Sequence, residues 1–289
     1  MMDKTMRLRV SMLLCGLLLA FPALAADKPA KSKSAGQDSQ TQPAAPAQTQ
    51  GSPQAQPSGE VIDDAREYKH CIQLARQKPD DGWEEALAWT SLGGGEPARH
   101  CAAIALIGLK QYEEGATRLE ALARDSHSAA RLRAGMLAQA GQAWLLAKMP
   151  EKAYAAQSAA LDLVPGAPDL LVDRAQSLAE AKNYRDALAD LDKAVQADPK
   201  RVDALVFRAS AKRFLDDLAG AEADLEAAKK LDPLYQDAWL ESGMIKRLKG
   251  DDAGARQDWL KLLEIAPNSV SADTARRNIE MLDVEKVKQ

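Results

Sequence analysis

The chain has 289 residues, of which 46% are hydrophobic, 28% are charged and only 4% are aromatic. Its 42 acidic residues outnumber its 38 basic residues, which gives a formal charge of −4. A β-sandwich or barrel requires more β-branched and aromatic side chains, and a nucleic-acid-binding protein requires a basic surface. The three His and three Cys supply few metal ligands or catalytic bases. The composition therefore indicates an all-α protein and points away from an enzyme.

Residues 1–25 have the three parts of a secretory signal. A basic start is followed by an apolar run at Val10–Phe21 and by the A-x-A cleavage pattern at Ala23–Ala25. The basic residues are Lys4, Arg7 and Arg9. The apolar run is shorter than the roughly 20 residues that a membrane-spanning helix needs. We therefore expect cleavage near Ala25 and a periplasmic or secreted protein. An uncleaved anchor is one alternative, and a lipoprotein modified at Cys15 is another, although Cys15 does not follow the small residue of a lipobox.

Residues 26–60 are rich in Gln, Pro, Ala and Ser. From Asp27 to Glu60 the sequence contains no Val, Leu, Ile, Met, Cys or aromatic residue. Such a segment has nothing to bury that would offset the entropy lost on ordering. We expect a disordered linker between the signal and the folded part of the chain.

A 34-residue repeat organises the rest of the chain. The repeated residues are Pro165, Pro199, Pro233 and Pro267, together with Ala153, Ala187, Ala221 and Ala255. Each unit is predicted to form two helices, A and B, because apolar residues return with helical spacing on both sides of a short polar break. The proline ends helix B and turns the chain into the next helix A. Acidic residues such as Asp169, Asp203 and Asp237 then suit the first turn of helix A.

This pattern resembles a tetratricopeptide repeat (TPR) array. Small residues stand where helices A and B of that family cross, namely Gly141, Ala175, Ala209 and Gly243. The resemblance implies an all-α, right-handed α-solenoid of about six helix-turn-helix repeats with a C-terminal capping helix. The repeats are expected near residues 61–96, 97–133, 134–167, 168–201, 202–235 and 236–269, with the cap at 270–285. Four departures from the family's pattern are expected to loosen individual repeats: Arg174, Arg208, Lys212 and Lys246.

The first two repeats are degenerate. Ala116 matches Ala153, but the interval between them is three positions longer than the regular repeat, which predicts a three-residue insertion near Asp125–Ser128. The interval from Ala86 to Ala116 is shorter than the regular repeat, which predicts a short first unit. This unit ends at Gly93–Gly95, where the glycines suit a tight connection into the next helix.

Two His-Cys pairs follow the linker, His70-Cys71 and His100-Cys101, and both fall on predicted A helices. A Cys71–Cys101 disulfide suits an even number of cysteines in an oxidising compartment. A metal site built from both pairs is disfavoured, because adjacent helical residues point about 100° apart. Two unpaired, buried thiols are the third interpretation. We predict the disulfide, although packed helices usually lie about 8–10 Å apart and a disulfide needs Cα atoms within about 7 Å.

Motifs of enzymatic chemistry are missing from the sequence. It contains no Gly-rich phosphate loop, no His-x-x-x-His pair and no nucleophile elbow. The carboxylate pairs Asp186/Asp190 and Glu222/Glu226 have helical spacing and are expected to lie on solvated faces. We therefore expect no catalytic activity, no cofactor and no metal.

The resemblance implies that the A helices line a concave groove that binds a protein or peptide. At the groove positions the sequence has Val172, Gln176, Val206, Ser210, Arg213, Phe214, Leu240, Met244 and Arg247. Phe214 with Arg213 and Arg247 is the expected anchor, because aromatic and Arg side chains dominate binding hot spots. The alternative is that the apolar members only pack between neighbouring helices. The Lys and Asn with which some family members hold a C-terminal carboxylate are not present.

Two functions fit such a surface. The first is a non-catalytic periplasmic scaffold or adaptor that binds a protein or peptide partner in the groove. The second is a regulatory subunit that modulates a cell-envelope enzyme, such as a peptidoglycan enzyme or a protease. Nucleic acid is not an expected partner of an acidic chain. After the signal no stretch is apolar enough to span a membrane.

Overall fold

The computed structural model describes residues 64–287, with side chains described as far as residue 284. Within this range the chain forms thirteen α-helices and no strand, which confirms the all-α prediction. The predicted signal and linker, residues 1–25 and 26–60, lie outside the described residues. The helices are α1 (Asp64–Gln77), α2 (Pro79–Ser91), α3 (Gly95–Gly108), α4 (Tyr112–Asp125), α5 (Ala130–Leu146), α6 (Pro150–Leu163), α7 (Pro168–Glu180), α8 (Tyr184–Ala197), α9 (Val202–Phe214), α10 (Leu218–Leu231), α11 (Gln236–Leu248), α12 (Asp252–Ile265) and α13 (Val270–Val287).

The helices follow the 34-residue period. Odd-numbered helices up to α11 are the A helices, and even-numbered helices are the B helices. The starts of α7, α9, α11 and α13 are separated by one regular repeat each. Between helices A and B one residue has a left-handed backbone, which ends helix A and turns the chain into helix B. These residues are Lys148, Lys182, Asp216 and Gly250, with φ of 62°, 63°, 68° and 83°.

The contacts between helices show which side of the array each helix occupies. Each helix packs against the next along the chain, and neighbouring A helices also pack against one another. These A–A contacts join α1 to α3, α5 to α7, α7 to α9 and α9 to α11, and α13 packs on α11 in the same way. No two B helices in the described part of the chain pack as closely. The A helices therefore form the inner side of the array and the B helices the outer side.

Small residues stand where helices A and B cross, as predicted. Ala153, Ala187, Ala221 and Ala255 are fully buried in successive B helices. Gly141 of α5 lies so close to Gln157 of α6 that a Cβ atom there would be 2.6 Å from the Gln157 Cγ. The 34-residue interval is therefore the interval at which two helices must approach closely.

The alignment of the first two repeats on Ala116 and Ala86 is wrong. The left-handed residue of the second repeat is Lys110, and its interval to Lys148 shows that the inserted segment has four residues and not three. Part of it lengthens α5, which has 17 residues where α7 has 13. Counted from the start of each B helix, Gly115 and Gly82 stand at the crossing positions. At Gly82 an added Cβ would collide with the backbone of Ala75 in α1.

Each of the four basic departures from the family's pattern has an acidic partner in the following B helix. Arg174 of α7 donates two hydrogen bonds to Asp190 of α8, from Nε at 2.7 Å and from Nη2 at 2.8 Å. Arg208 and Asp224 repeat this pair one unit later, at 2.9 and 2.6 Å. Lys212 adds a salt bridge to Asp224 at 2.8 Å, and Lys246 of α11 reaches Asp258 of α12 at the same distance.

The prediction that Asp190 lies on a solvated face is therefore wrong. The residue is 3% exposed, and its charge is neutralised inside the A–B interface. The same interface of the preceding repeat has Ala140 and Ala156 at the equivalent positions, and both are buried. At these two positions the repeats thus have two alanines, then an Arg–Asp pair twice, and then Ser242 with Asp258 in α11 and α12.

The last helix covers the end of the apolar core. Ala272, Ala275 and Leu282 of α13 are buried against a cluster that includes Trp259 of α12. The opposite face of α13 presents exposed polar residues such as Arg276 and Arg277. This arrangement matches the predicted role of α13 as a cap. Among the helices of residues 64–287, none is both long enough and apolar enough to cross a membrane.

Candidate functional site

The predicted groove residues divide into buried and accessible members. Val172, Val206, Ser210 and Gln176 are 1%, 7%, 8% and 9% exposed, because neighbouring A helices pack closely over them. They contribute to the packing between repeats. Accessible side chains of the predicted set are confined to α9 and α11.

Two of the three expected anchor residues, Phe214 and Arg213, contact other side chains of the protein. Phe214 at the end of α9 stacks on Tyr184 at the start of α8, with ring centroids 4.2 Å apart and planes 2° apart. The Arg213 guanidinium carbon lies 4.2 Å from the Phe214 ring centroid. Arg213 Nε donates to the Glu241 carboxylate of α11 at 2.5 Å, and both side chains are nearly buried. This cluster joins three helices, so Arg213 is not a free cation on the surface.

The remaining predicted residues lie on α11. Leu240 and Met244 are partly exposed, and they pack on the apolar cluster under the cap. Arg247 is paired with Asp252, the first residue of α12. The neighbouring Leu248 is 59% exposed at the end of α11. An apolar strip therefore continues from Leu240 to Leu248 along the inner side.

A second feature of the inner side is a row of carboxylates at and near the helix starts. We call Asp169, Asp173, Asp203 and Asp237 the acidic edge. Arg201 forms salt bridges with both Asp169 and Asp203, the latter at 2.9 Å. Asp173 accepts a hydrogen bond from Gln142 of α5 at 2.9 Å. Three of the four carboxylates recur at the regular repeat interval, and this spacing was the available sequence signal.

Asp237 lies in the first turn of α11 and accepts a hydrogen bond from the Ser271 hydroxyl of α13 at 2.6 Å. Burial raises the pKa of Asp237, and the nearby Glu241 carboxylate raises it further. Burial also raises the pKa of Asp173 to about 7, although the Gln142 hydrogen bond and Arg201 oppose the rise. The Asp169 and Asp203 carboxylates raise the pKa of Asp173 further. Asp173 and Asp237 therefore keep their protons to higher pH than an ordinary aspartate does, chiefly because they are buried.

At the other end of the array, a disulfide joins Cys71 of α1 to Cys101 of α3, with Cα atoms 6.1 Å apart. These two A helices are therefore close enough for the predicted disulfide, which needs Cα atoms within about 7 Å. Because the two sulfurs are bonded to each other, they are not metal ligands. Among the described residues no group of three or more His, Cys, Asp or Glu side chains is placed to hold a metal ion.

His100 lies beside this disulfide and is 7% exposed. Its Nε2 lies 2.6 Å from Gln139 Oε1 of α5, and its Nδ1 lies 3.0 Å from the Tyr68 hydroxyl of α1. Because the Gln139 oxygen is an acceptor, Nε2 carries the proton. Burial lowers the pKa of the imidazole, so the ring is neutral and bridges three A helices. His100 therefore stabilises the packing of these three helices.

Compared with models of protein families and with curated protein sequences, the chain has no match. Solved structures resemble it in fold. The Cut9 and Hcn1 hetero-tetramer of the APC/C matches with a TM-score of 0.57 and 12% identity over 76% of this chain and 46% of that chain. A MamA RS-1 ArsTM double mutant matches with a TM-score of 0.50 and 21% identity over 59% of this chain and 93% of that chain.

The TPR protein YrrB, described as having an unusual peptide-binding site, is also similar, with a TM-score of 0.47 and 19% identity over 66% of this chain and 96% of its own. The likeness to the Cut9–Hcn1 and MamA RS-1 structures is one of fold, and it agrees with the 34-residue repeat, the alternation of A and B helices and the small crossing residues of this chain. The chain is an all-α solenoid with the tetratricopeptide repeat fold.

Proposed function

We propose that the protein is a non-catalytic periplasmic scaffold or adaptor that binds a protein or peptide partner on the inner side of the solenoid. The observation that carries this proposal is the apolar strip on α11. Leu240 and Met244 are partly exposed there, and Leu248 is 59% exposed. Apolar side chains that a fold leaves accessible on one face favour a binding surface, because burying them against a partner is favourable.

The contacts within the protein change which residues are expected to contribute most to partner binding. Arg213 is committed to Glu241, and replacing it would leave a nearly buried carboxylate unpaired. Phe214 stacks on Tyr184 and remains partly exposed. We therefore assign the anchor to Leu248, Met244 and Phe214.

The fold supports an interaction role by analogy. In the similar Cut9–Hcn1 structure, a protein of this fold is found in a complex with another protein. A shared fold does not define a partner, so the proposal depends on the surface described above.

The proposed compartment is the periplasm, reached through the predicted signal. The disulfide between Cys71 and Cys101 supports this proposal, because structural disulfides persist in oxidising compartments. Fractionation of cells that express the full chain, followed by mass spectrometry of its N-terminus, tests it. We expect a soluble periplasmic protein that begins near residue 26. A cytoplasmic chain that retains residues 1–25 would contradict the proposed location.

The binding proposal is tested by capture of partners from the native envelope with affinity-tagged protein. Leu248→Glu places a charge on the inner strip, and Leu260→Glu places the same charge on helix α12 of the outer side. Leu260 is a matched control because it is also an exposed leucine, at 48%. Loss of one hot-spot contact should reduce capture by about tenfold in Leu248→Glu only. Equal capture by both variants and the unmodified protein would refute the inner surface as the binding site.

A further inference from the structure

The acidic edge holds more carboxyl groups than cations. It contains four carboxylates, and Arg201 is the cation that bridges two of them. Asp173 and Asp237 accept hydrogen bonds from the neutral side chains of Gln142 and Ser271. Within residues 64–284 the structure records no salt bridge for either carboxylate. The adjacent Glu241 does not change this balance, because Arg213 neutralises it.

Apolar side chains lie next to this row on the same helices. Phe207 follows Asp203 by four residues on α9 and is partly exposed. Leu240 and Met244 follow Asp237 by three and seven residues on α11 and are also partly exposed. Residues with this spacing share one face of a helix. The inner side of α9 and α11 thus presents carboxylates near the helix starts and apolar side chains one or two turns later.

We propose that the inner surface binds a partner segment that combines basic with apolar side chains, the basic side chains lying along the acidic edge. This inference rests on the proposed function and specifies the class of partner. Lys or Arg side chains would form the direct salt bridges that Asp173 and Asp237 do not make within the described residues, and apolar neighbours would cover Phe207, Leu240 and Met244. Complementary charge also orients a partner on approach and excludes acidic segments.

Two properties of binding follow from the charges. A bound cation favours the ionised form of a carboxylate, so binding lowers the pKa of Asp173 and releases a proton near neutral pH. Affinity should therefore rise from about pH 6 to about pH 8 and fall as salt screens the charges. The charged groups that face Asp173 are Asp169 on its own helix and Arg201 and Asp203 from the α9 side, while α5 contributes the neutral Gln142.

The test uses fluorescence anisotropy with two short labelled peptides, one of repeated Lys-Ser-Leu units and one of repeated Glu-Ser-Leu units. The protein is the chain from residue 26 onward, and its double variant is Asp173→Asn/Asp237→Asn. Asn keeps an oxygen that can accept from Gln142 or Ser271, so the fold is retained. The control, Asp162→Asn/Asp186→Asn, removes the same charge from two exposed carboxylates of the B helices α6 and α8.

We expect the Lys peptide to bind and the Glu peptide not to bind. The Asp173→Asn/Asp237→Asn variant should bind the Lys peptide about fivefold or more weakly and lose the rise between about pH 6 and pH 8. The control should bind as the unmodified protein does. Equal binding of both peptides, or an equal loss in both variants, would overturn the inference.

A second measurement separates this inference from the proposed function. A photo-crosslinking residue placed at Met244 captures the native partner, and mass spectrometry identifies the attached segment. A basic and apolar segment supports both proposals. An acidic segment at this position overturns the basic-partner inference while leaving the inner surface as the binding site.

Discussion

Arg174 and Asp190 form a two-point ion pair between helices A and B of one repeat, and Arg208 and Asp224 form the same pair in the next. The arginines also reach the preceding B helix, where Arg208 bonds Asp192 at 3.1 Å and Arg174 lies 3.4 Å from the Ser158 hydroxyl. Each pair therefore connects three helices. Residues that look like defects in the repeat pattern are contacts between repeats.

Replacing Asp190 by Ala should destabilise the protein by about 2–3 kcal/mol, because it leaves the Arg174 guanidinium without its main partner in a largely buried interface. The double variant Arg174→Ala/Asp190→Ala should recover most of this loss, since Ala140 and Ala156 fill the same positions one repeat earlier. Urea unfolding of the single and double variants measures both effects. A double variant less stable than Asp190→Ala would contradict this explanation.

Gly82→Ala should destabilise the protein by about 2 kcal/mol, because the added methyl group meets the backbone of Ala75, which has no room to move. Gly115→Ala is the matched comparison. Its Cβ would lie 2.7 Å from Ile107 Cγ1 and 3.1 Å from the Ala103 carbonyl oxygen, which are longer contacts than the 2.4 Å contacts at Gly82, so the loss should be smaller, about 1 kcal/mol. If Gly82→Ala were as stable as the unmodified protein in urea, Gly82 would not be a crossing residue.

Removal of the disulfide with Cys71→Ser/Cys101→Ser should lower the free energy of unfolding by about 3 kcal/mol, because the bond closes a 30-residue loop in the unfolded chain. Thiol titration of the denatured, non-reduced protein from residue 26 onward provides the direct check. No free thiol is expected, and two reactive thiols would show that the bond does not form.

The ionisation of Asp173 should oppose folding. Its pKa is raised from 3.8 to about 7 in the folded protein. The preference of the folded state for the protonated carboxyl therefore stabilises the fold fully at pH values below the unfolded-state pKa, and this stabilisation is lost as pH rises through about 7. Asp173→Asn removes this dependence. Unfolding free energies measured from about pH 5 to about pH 8 should fall more steeply for the unmodified protein than for Asp173→Asn. Parallel curves would place the Asp173 pKa near its ordinary value.

Much of the fold is encoded in the 34-residue spacing, because the close approach of two helices tolerates only small side chains at fixed intervals. The insertion length was misjudged at Gly115-Ala116, where two adjacent small residues fit the pattern equally well and only the backbone turn at Lys110 distinguishes them. The Arg174–Asp190 pair was readable in principle, because both members recur one repeat later as Arg208 and Asp224.

The candidate site was less accessible to sequence reasoning. Val172 and Val206 occupy groove positions, but their burial depends on how closely neighbouring A helices pack, and that distance is set by side chains on two helices at once. The commitment of Arg213 to Glu241 depends on a contact between repeats. Sequence spacing locates the inner face, whereas the packing between repeats decides which of its side chains remain available.

The most direct test of partner binding on the inner side is site-specific photo-crosslinking in living cells, with the crosslinking residue placed at Leu248 or at Leu260. Both side chains are exposed, and they lie on α11 and α12, on opposite sides of the solenoid. We expect one discrete crosslinked partner from position 248 and none from position 260. The same partner from position 260, with none from position 248, would contradict the proposed binding surface.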